Sequence, residues 1–316
     1  VSFLFFLSRS AMSPLLLEVE EQFSISHARI SRTFAVYTVG YAITVFLSGY
    51  ASRRVTHRRL MPLAASIGAV GIVVVAAAPT VLVLQIGLFV FGVGFGLEAP
   101  TAISMIASTV RRAEWQRALS LHEVSPHLGM IAAPLGVVAL RHVLDWRGVF
   151  FALAVLLAVQ ALVFTTRVRA GEENGDAPSF FALARLVKRS AFWLLILFFA
   201  LALASTDGVY LLIPTFLVVE AGLAQSTANT IFGISRVLPI AALFASALVF
   251  GRLGPRRTIA LSVAGAGIAV LLMAITDGWV RVAMVFLQPS LGALFFPAGF
   301  AALSALSPRS EEHTSE

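Results

Sequence analysis

The sequence predicts an all-α integral membrane protein that contains many spanning helices. Charged residues make up only 12% of the chain, apolar residues make up 59%, and the mean hydropathy is +0.91. A soluble domain carries roughly a quarter charged residues, so this chain has too few polar groups to cover a surface in water. Its apolar residues fall into long runs, separated by short polar segments that hold most of the basic residues. Lipid is therefore the expected solvent for most of the surface.

The apolar runs define ten predicted helices, because a spanning helix needs about 20 mostly apolar residues. The stretch from Leu60 to Val110 holds a single charged residue, Glu98, and as one helix it would be about 75 Å long. It must therefore fold back, and Pro79 marks the turn. The predicted helices 1 to 10 are, in order, Val1–Leu17, Ile30–Tyr50, Leu60–Ala78, Val81–Val110, Leu119–Leu140, Gly148–Thr165, Ala191–Val219, Ser226–Phe250, Thr258–Ala274 and Val280–Leu306.

The basic residues of the loops support this helix count. When the loops are assigned alternately to the two sides of the membrane, one side holds fifteen Arg and Lys residues and the other holds five. Cytoplasmic loops favour Lys and Arg, so the richer side is predicted to face the cytoplasm from the cell membrane. The richer side holds Arg53, Arg54, Arg58, Arg59, Arg111, Arg112, Arg117, Arg167, Arg169, Arg185, Lys188, Arg189, Arg252, Arg256 and Arg257. The other side holds Arg29, Arg32, Arg141, Arg147 and Arg281.

The longest polar stretch divides the chain into two predicted halves. We expect a half with six helices over residues 1–166, a cytoplasmic central loop over 167–190, and a partial second half with four helices over 191–308. The pair Arg58–Arg59 recurs as Arg256–Arg257, 198 residues later. This spacing indicates an internal repeat, and two further helices would complete the second half.

The two ends of the sequence differ from what a native chain would show. The first residue already lies inside an apolar run, so helix 1 is expected to be truncated. Residues 309–316 are polar and resemble the translation of a sequencing adaptor. They are predicted to be an artefact and are left out of the fold prediction.

Six short segments carry motifs at loops and helix ends. The loop after helix 2 combines a glycine with four arginines, and a related segment follows helix 8. Helix 4 is rich in glycine, helix 5 carries Arg-Ala-Leu and a Gly-x-x-x-Ala-Pro pattern, and helix 6 opens with Asp-Trp-Arg. The segments are Gly49–Arg59, Gly92–Gly96, Arg117–Leu119, Gly129–Gly136, Asp145–Phe150 and Gly251–Arg257. In this order they resemble the signatures of the major facilitator superfamily.

The resemblance covers nearly all of residues 1–308 and implies a bundle of two pseudo-symmetric halves of six helices, the second incomplete. It also implies that the first segment is a gating loop. The candidate gating residues are Gly49, Arg53, Arg54, Arg58 and Arg59. The small residues of helices 4 and 5 predict close helix packing. These residues are Gly92, Gly96, Gly129, Ala133, Pro134 and Gly136.

The chain departs from the family pattern at two places. Arg53, and Gly251 in the second copy, stand where the signature has an aspartate. The arginine expected before the glycines of helix 4 is also absent. In the family that aspartate belongs to a charge network thought to hold one gated state, so gating is expected to differ in this chain.

Five ionisable residues lie deep in the predicted helices: Arg9, Glu98, Glu123, Asp207 and Arg236. A charge in hydrocarbon costs several kcal/mol, so each is expected to face an internal path for substrate or protons. A carboxyl group held away from water favours its protonated form, so Glu98 and Asp207 are candidates to bind and release a proton. Arg9 and Arg236 fit two roles equally well: they could bind an anionic substrate or neutralise these acids.

His122, Glu123 and His127 form a pattern that resembles a metalloprotease motif but does not fit zinc. The two histidines are five residues apart, with Pro126 between them, whereas a zinc pair on a helix is spaced by four. Glu123 and His127 share a helix face near the cytoplasmic end. An interfacial ion pair is favoured there over a gate or a proton relay.

The sequence therefore predicts a secondary transporter that works by alternating access and is not an enzyme. Proton-coupled export is favoured slightly over an anion or metabolite symporter, and a membrane sensor of the same fold is a further alternative. The expected partners are a small-molecule substrate, H+ and lipid, with no nucleic acid and a monomeric state. No cofactor is expected, because the glycines of helix 4 lack the spacing and the Walker lysine of a nucleotide loop.

Overall fold

The computed structural model describes residues 1–111, 115–169, 171–175 and 187–306 of the chain. Every regular element in these ranges is helical, as the sequence predicts. The helices are α1 (Ser2–Ala11), α2 (Leu16–Phe23), α3 (His27–Arg54), α4 (His57–Ala77), α5 (Val81–Thr109), α6 (Trp115–Leu140), α7 (Trp146–Arg167), α8 (Ser190–Leu203), α9 (Val209–Val219), α10 (Gln225–Ile234), α11 (Val237–Ile275) and α12 (Gly278–Leu306). A π-helical turn, Ala204–Gly208, joins α8 to α9. The proposed artefact at 309–316 lies outside the described residues.

Six segments of the described chain are long and apolar enough to cross a membrane. They are Ala28–Arg54, His57–Ala77, Val81–Thr109, Trp146–Arg167, Arg256–Ile275 and Gly278–Phe296. The helices α1 and α2 meet the same criteria as a pair, with a bend of 52° between them. Large apolar side chains such as Leu82, Val155 and Leu271 are exposed on these segments, as expected where lipid is the solvent. The protein is therefore a multi-pass membrane protein, which confirms the predicted fold class.

The first helix differs from its prediction. The predicted Val1–Leu17 is two helices, and the second continues to Phe23. It continues because α2 is amphipathic: Val19 is buried, while the Glu18 carboxylate pairs with the Arg141 guanidinium at 2.8 Å. An apolar-run criterion stops at the first carboxylate and so ends this helix too early.

Predicted helices 7 and 8 are also interrupted. The π-helical turn divides helix 7 into α8 and α9, and Ser235–Arg236 separates α10 from α11 within helix 8. Predicted helices 8 and 9 meet inside α11 at Gly254, whose φ is 74° and ψ is 167°. A residue without Cβ adopts this positive φ at little cost. The Gly251–Arg257 motif therefore supplies the bend between two helices.

The chain divides into two compact units by its contacts. The first comprises residues 1–178 and 224–233, and the second comprises 179–223 and 234–316. The α10 helix, which belongs to the second half in the sequence prediction, thus makes its contacts in the first unit. The predicted half boundaries at 166 and 191 stay predictions.

In the first unit α5 packs against α3 and α4, while α4 also packs on α7 and α1 packs on α6. The ring of Phe5 lies 5.7 Å from that of Phe91 and 5.4 Å from that of Phe95, between centroids. Aromatic pairs attract each other at these separations. These contacts hold α1 against the middle of α5, where Glu98 lies.

In the second unit α11 packs against α12. Ala202, Ile259, Phe295 and Ala298 form a buried cluster at this contact. Phe199 meets Phe295 edge to face at 5.0 Å between ring centroids. This cluster holds α8 against α12, next to the π-helical turn that follows α8.

Candidate functional site

Glu98 is buried in the first unit, with 1% of its surface exposed. The Ser2 hydroxyl of α1 donates a hydrogen bond to its Oε1 atom at 2.5 Å. Hydrogen bonds of this length between a hydroxyl and a carboxylate are charge-assisted and strong. Thr101, three residues after Glu98 on α5, donates to the Leu97 carbonyl oxygen of its own helix at 2.6 Å. Glu98 is thus a carboxyl group enclosed between α1 and α5.

Arg9 lies further along α1, about 10 Å from Ser2 at 1.5 Å per residue. Its guanidinium carbon is 5.9 Å from the centroid of the Phe6 ring and 5.5 Å from that of Tyr37. Both distances are in the range of cation–π attraction. The structure therefore places Arg9 on α1 and Glu98 on α5, and the two residues lie at different points along α1.

Arg236 is a buried cation of the second unit, with 4% of its surface exposed. It lies at the break between α10 and α11, and its guanidinium carbon is 3.3 Å from the centroid of the Tyr210 ring. Tyr210 is also buried, at the start of α9. A desolvated guanidinium over an aromatic face gains about 2 kcal/mol. The stacking fixes the plane of the guanidinium group, which could bind an anion edge-on.

The π-helical turn in helix 7 holds a polar cluster that the sequence analysis missed. Gln288 of α12 is fully buried, and its Nε2 atom donates to the Ser205 carbonyl oxygen at 2.7 Å and to the Ser205 hydroxyl at 2.8 Å. A π turn widens the helix and is frequent at functional sites. A signal for Gln288 was available, because a carboxamide within an apolar run requires a partner.

Glu123 and Asp207 lie on helical backbone, in α6 and in the π-helical turn. Their side chains lie outside the part of the chain that the structure describes. The roles predicted for these two carboxylates in the substrate or proton path stay predictions.

The Gly49–Arg59 segment forms the end of α3 and the start of α4. Arg53, Arg54 and Arg59 are exposed, whereas Ser52 and His57 are buried. Residues 171–175 lie across the loop, with Gly175 beside both Ser52 and His57. The Arg58 guanidinium pairs with the Glu172 carboxylate at 2.6 Å.

The small residues of α5 and α6 lie at close helix contacts. A Cβ atom at Gly92 would overlap the Tyr37 carbonyl oxygen, and one at Gly96 would overlap the Tyr41 carbonyl oxygen, both of α3. A Cβ atom at Gly129 would lie 2.6 Å from the Phe3 carbonyl oxygen of α1.

The small residues of α6 form a stripe (Gly129, Ala133, Pro134 and Gly136), and those after Gly129 make different contacts. The Pro134 ring packs beside Gly233 of α10, where a Cβ atom would lie 3.0 Å from Pro134 Cγ. Gly136 has open space around it, with nothing within 4 Å of a Cβ atom, so its predicted place in the packing stripe is wrong. The stripe contacts α1 at Gly129, whereas Gly136 does not lie at a helix contact.

No group of three or more His, Cys, Asp or Glu side chains that could hold a metal ion occurs among the described residues. The described part of the site is therefore a set of separate buried polar groups in apolar helices. Ionisable groups buried in spanning helices are typical of substrate and ion paths.

Comparisons with known proteins identify a matching family. A family model described as Major Facilitator Superfamily matches residues 1–314. No curated protein matches the chain.

Solved structures share the fold at low sequence identity. A bacterial homolog to the human lysosomal transporter Spinster, inward-facing and unoccupied, has a TM-score of 0.73 and 16% identity, over 96% of this chain and 72% of that one. The same protein in its inward-facing, occupied conformation has a TM-score of 0.77 and 15% identity, over 96% of this chain and 75% of that one. A D-xylose-proton symporter has a TM-score of 0.70 and 14% identity, over 97% of this chain and 84% of that one.

Proposed function

The chain belongs to the major facilitator superfamily, and from this membership we propose that it moves a small solute across the cell membrane by alternating access. The proposed cycle is coupled to protons and works as an exporter that exchanges solute for H+. The basic loops, including Arg53–Arg59, face the cytoplasm in this proposal, because basic residues are retained on that side.

The burial of Glu98 carries the proposal. A carboxylate at membrane depth costs several kcal/mol unless it is neutralised or hydrogen-bonded. The Ser2 hydroxyl stabilises the charged form through a short bond, and the nearby Val1 amino group attracts the same charge, whereas burial in α5 favours the protonated form. Since these influences oppose each other, a small change in the packing of α1 on α5 can shift the protonation of Glu98. Proton uptake and helix movement are coupled in this way.

A proton signal in vesicles tests the proposal. The purified protein is reconstituted with a pH-sensitive dye inside, and a panel of metabolites and cationic or anionic drugs is added outside. A solute that enters in exchange for protons makes the lumen alkaline, which is the expected result. Transport of any solute of the panel without a change in luminal pH would contradict proton coupling.

The Glu98→Gln variant tests whether the change in luminal pH depends on Glu98. It keeps the shape of the side chain and its hydrogen bond with Ser2 but cannot release a proton, so the pH signal is expected to vanish. Glu21→Gln is the matched control, because Glu21 is exposed on α2 and belongs to the same unit. A pH signal that survives in Glu98→Gln would remove Glu98 from the coupling role.

A symporter for anionic metabolites is the second candidate, and Arg236 favours it. The buried guanidinium, stacked on Tyr210, could bind a carboxylate or phosphate in two-point contact. The same vesicle assay separates the two candidates, because an anion that enters together with protons acidifies the lumen.

A further inference from the structure

Residues 171–175, with the sequence Gly-Glu-Glu-Asn-Gly, lie along the loop between α3 and α4 and bond to its main chain. The Arg58 amide donates to the Gly171 carbonyl oxygen at 2.8 Å, and the His57 amide donates to the Glu173 carbonyl oxygen at 3.3 Å. At the other end the Gly175 amide donates to the Ser52 carbonyl oxygen at 3.0 Å. The two stretches therefore run antiparallel. We call residues 171–175 the clasp.

The glycines at the two ends of the clasp fit its close contact with the loop. Gly171 has a φ of 83°, and a Cβ atom there would lie 2.8 Å from Met105 Cε at the end of α5. A Cβ atom at Gly175 would overlap the Ser52 hydroxyl and lie 2.8 Å from Ser52 Cβ. A side chain at Gly175 would push the clasp off Ser52, and one at Gly171 would be strained by the positive φ.

The charge of the clasp complements the charge of the loop. The loop carries four arginines, and Arg53 stands where the family signature has an aspartate. The clasp brings two carboxylates to this loop, and Glu172 pairs with Arg58 at 2.6 Å. An exposed ion pair alone contributes at most about 1 kcal/mol. The Arg58–Glu172 pair, the three main-chain hydrogen bonds and the two glycines together hold the clasp in one position on the loop.

We infer that Glu172 is a positioning residue that supplies the acid missing from the α3–α4 loop, and that the clasp sets how readily this loop opens. The clasp follows α7 directly and contacts the ends of α3, α4 and α5. It therefore ties together four helix ends of the first unit. Release of the clasp frees the loop and uncovers Ser52 and His57. The inference does not depend on the coupling ion or on the direction of transport.

Thiol labelling tests the inference without any transport measurement. The sequence contains no cysteine, so Ser52→Cys introduces a single buried thiol beneath the clasp. In this background Arg58→Glu and Glu172→Arg each replace the ion pair by a repulsion, and the double variant restores it with reversed charges. Each single reversal is expected to raise the rate of maleimide labelling about fivefold, the ratio that corresponds to about 1 kcal/mol. The double variant is expected to return the rate to that of the Ser52→Cys parent.

Arg167→Glu is the matched control, since Arg167 is an exposed arginine at the end of α7, in the same unit and outside the candidate gating residues. It changes the net charge of the unit by the same amount as Arg58→Glu, and the labelling rate is expected to stay within twofold, or about 0.4 kcal/mol. Labelling that stays constant in both single reversals, or that rises equally in the control, would overturn the inference.

The initial rate of solute flux in vesicles is the second readout for the same variants. It is expected to change in each single reversal and to return in the double variant. Unchanged flux in a variant whose labelling has risen would overturn the part of the inference that concerns gating. If the parent protein moves no solute, the proposed function fails, whereas the labelling rates still decide whether Glu172 positions the loop.

Discussion

Replacement of Gly92 by alanine tests a close backbone contact between α3 and α5. Gly92 lies where α5 crosses α3, and a Cβ atom there would overlap the Tyr37 carbonyl oxygen. The same atom would lie 2.8 Å from the Tyr37 carbonyl carbon and 3.0 Å from the Tyr41 nitrogen. All three neighbours are main-chain atoms within a helix, so no side chain can rotate out of the way. The two helices must separate to admit one methyl group.

The cost follows from two opposing contributions. Overpacking of a well-packed contact costs about 1–3 kcal/mol, and a contact made only of backbone belongs at the upper end. Alanine in place of glycine within a helix regains about 1 kcal/mol of helix propensity. The expected net loss is therefore about 2 kcal/mol in the free energy of unfolding. For a domain of this size that corresponds to about 4–8 °C in Tm.

Thermal unfolding of the purified protein in detergent measures this loss. Gly136→Ala is the matched control, because Gly136 lies in a helix of the same unit and has nothing within 4 Å of the added Cβ atom. The control is expected to keep its Tm or to gain slightly from helix propensity. Equal Tm values for Gly92→Ala and Gly136→Ala would refute the reasoning that α3 and α5 are in backbone contact.

Two further substitutions test polar contacts by the same unfolding measurement. Gln288→Leu removes the donor to the part-buried Ser205 carbonyl oxygen, but it also removes the buried Gln288 Oε1 atom, which has no hydrogen-bond partner among the described residues. The net loss of stability is therefore expected to be about 1 kcal/mol. Ser290→Ala is its control, since that hydroxyl bonds within its own helix, and a loss as large as that of Gln288→Leu would contradict the account. Arg141→Gln breaks the partly exposed pair with Glu18 and the hydrogen bond to the Leu144 carbonyl oxygen, and it is expected to cost about 1–2 kcal/mol. A larger loss would contradict the small contribution expected of a partly exposed pair.

Much of the fold could be predicted from the sequence, because the physics of a spanning helix is local. A run of about 20 apolar residues is sufficient to predict a helix in lipid, and the bends at Pro79 and Gly254 follow from single residues. The apolar-run criterion did not predict the amphipathic α2 helix, since its buried face is defined only by its contact with the rest of the first unit. The interruption of helix 7 was not predicted either, because the Ser205 of its π-helical turn bonds to Gln288, which lies 83 residues away.

The candidate site could be predicted only in part. The depth of Glu98 and Arg236 follows from their places in apolar runs, and both are buried. Their partners could not be predicted, because Ser2 is 96 residues from Glu98 and the spacing between them carries no pattern. The clasp could not be predicted for the same reason. Glu172 and Arg58 are 114 residues apart, and a carboxylate in a polar loop has no distinguishing feature until the loop is folded.

Proton-driven flux compared with simple exchange tests the central claim most directly. In vesicles of the Glu98→Gln variant, exchange of labelled for unlabelled solute at equal pH on both sides is expected to continue, because the helices still move. A pH gradient is expected to leave the rate of net solute flux unchanged in this variant, whereas it raises that rate in the unmodified protein. Net flux in Glu98→Gln that responds to the gradient as in the unmodified protein would contradict the claim that this buried carboxyl group couples transport to protons.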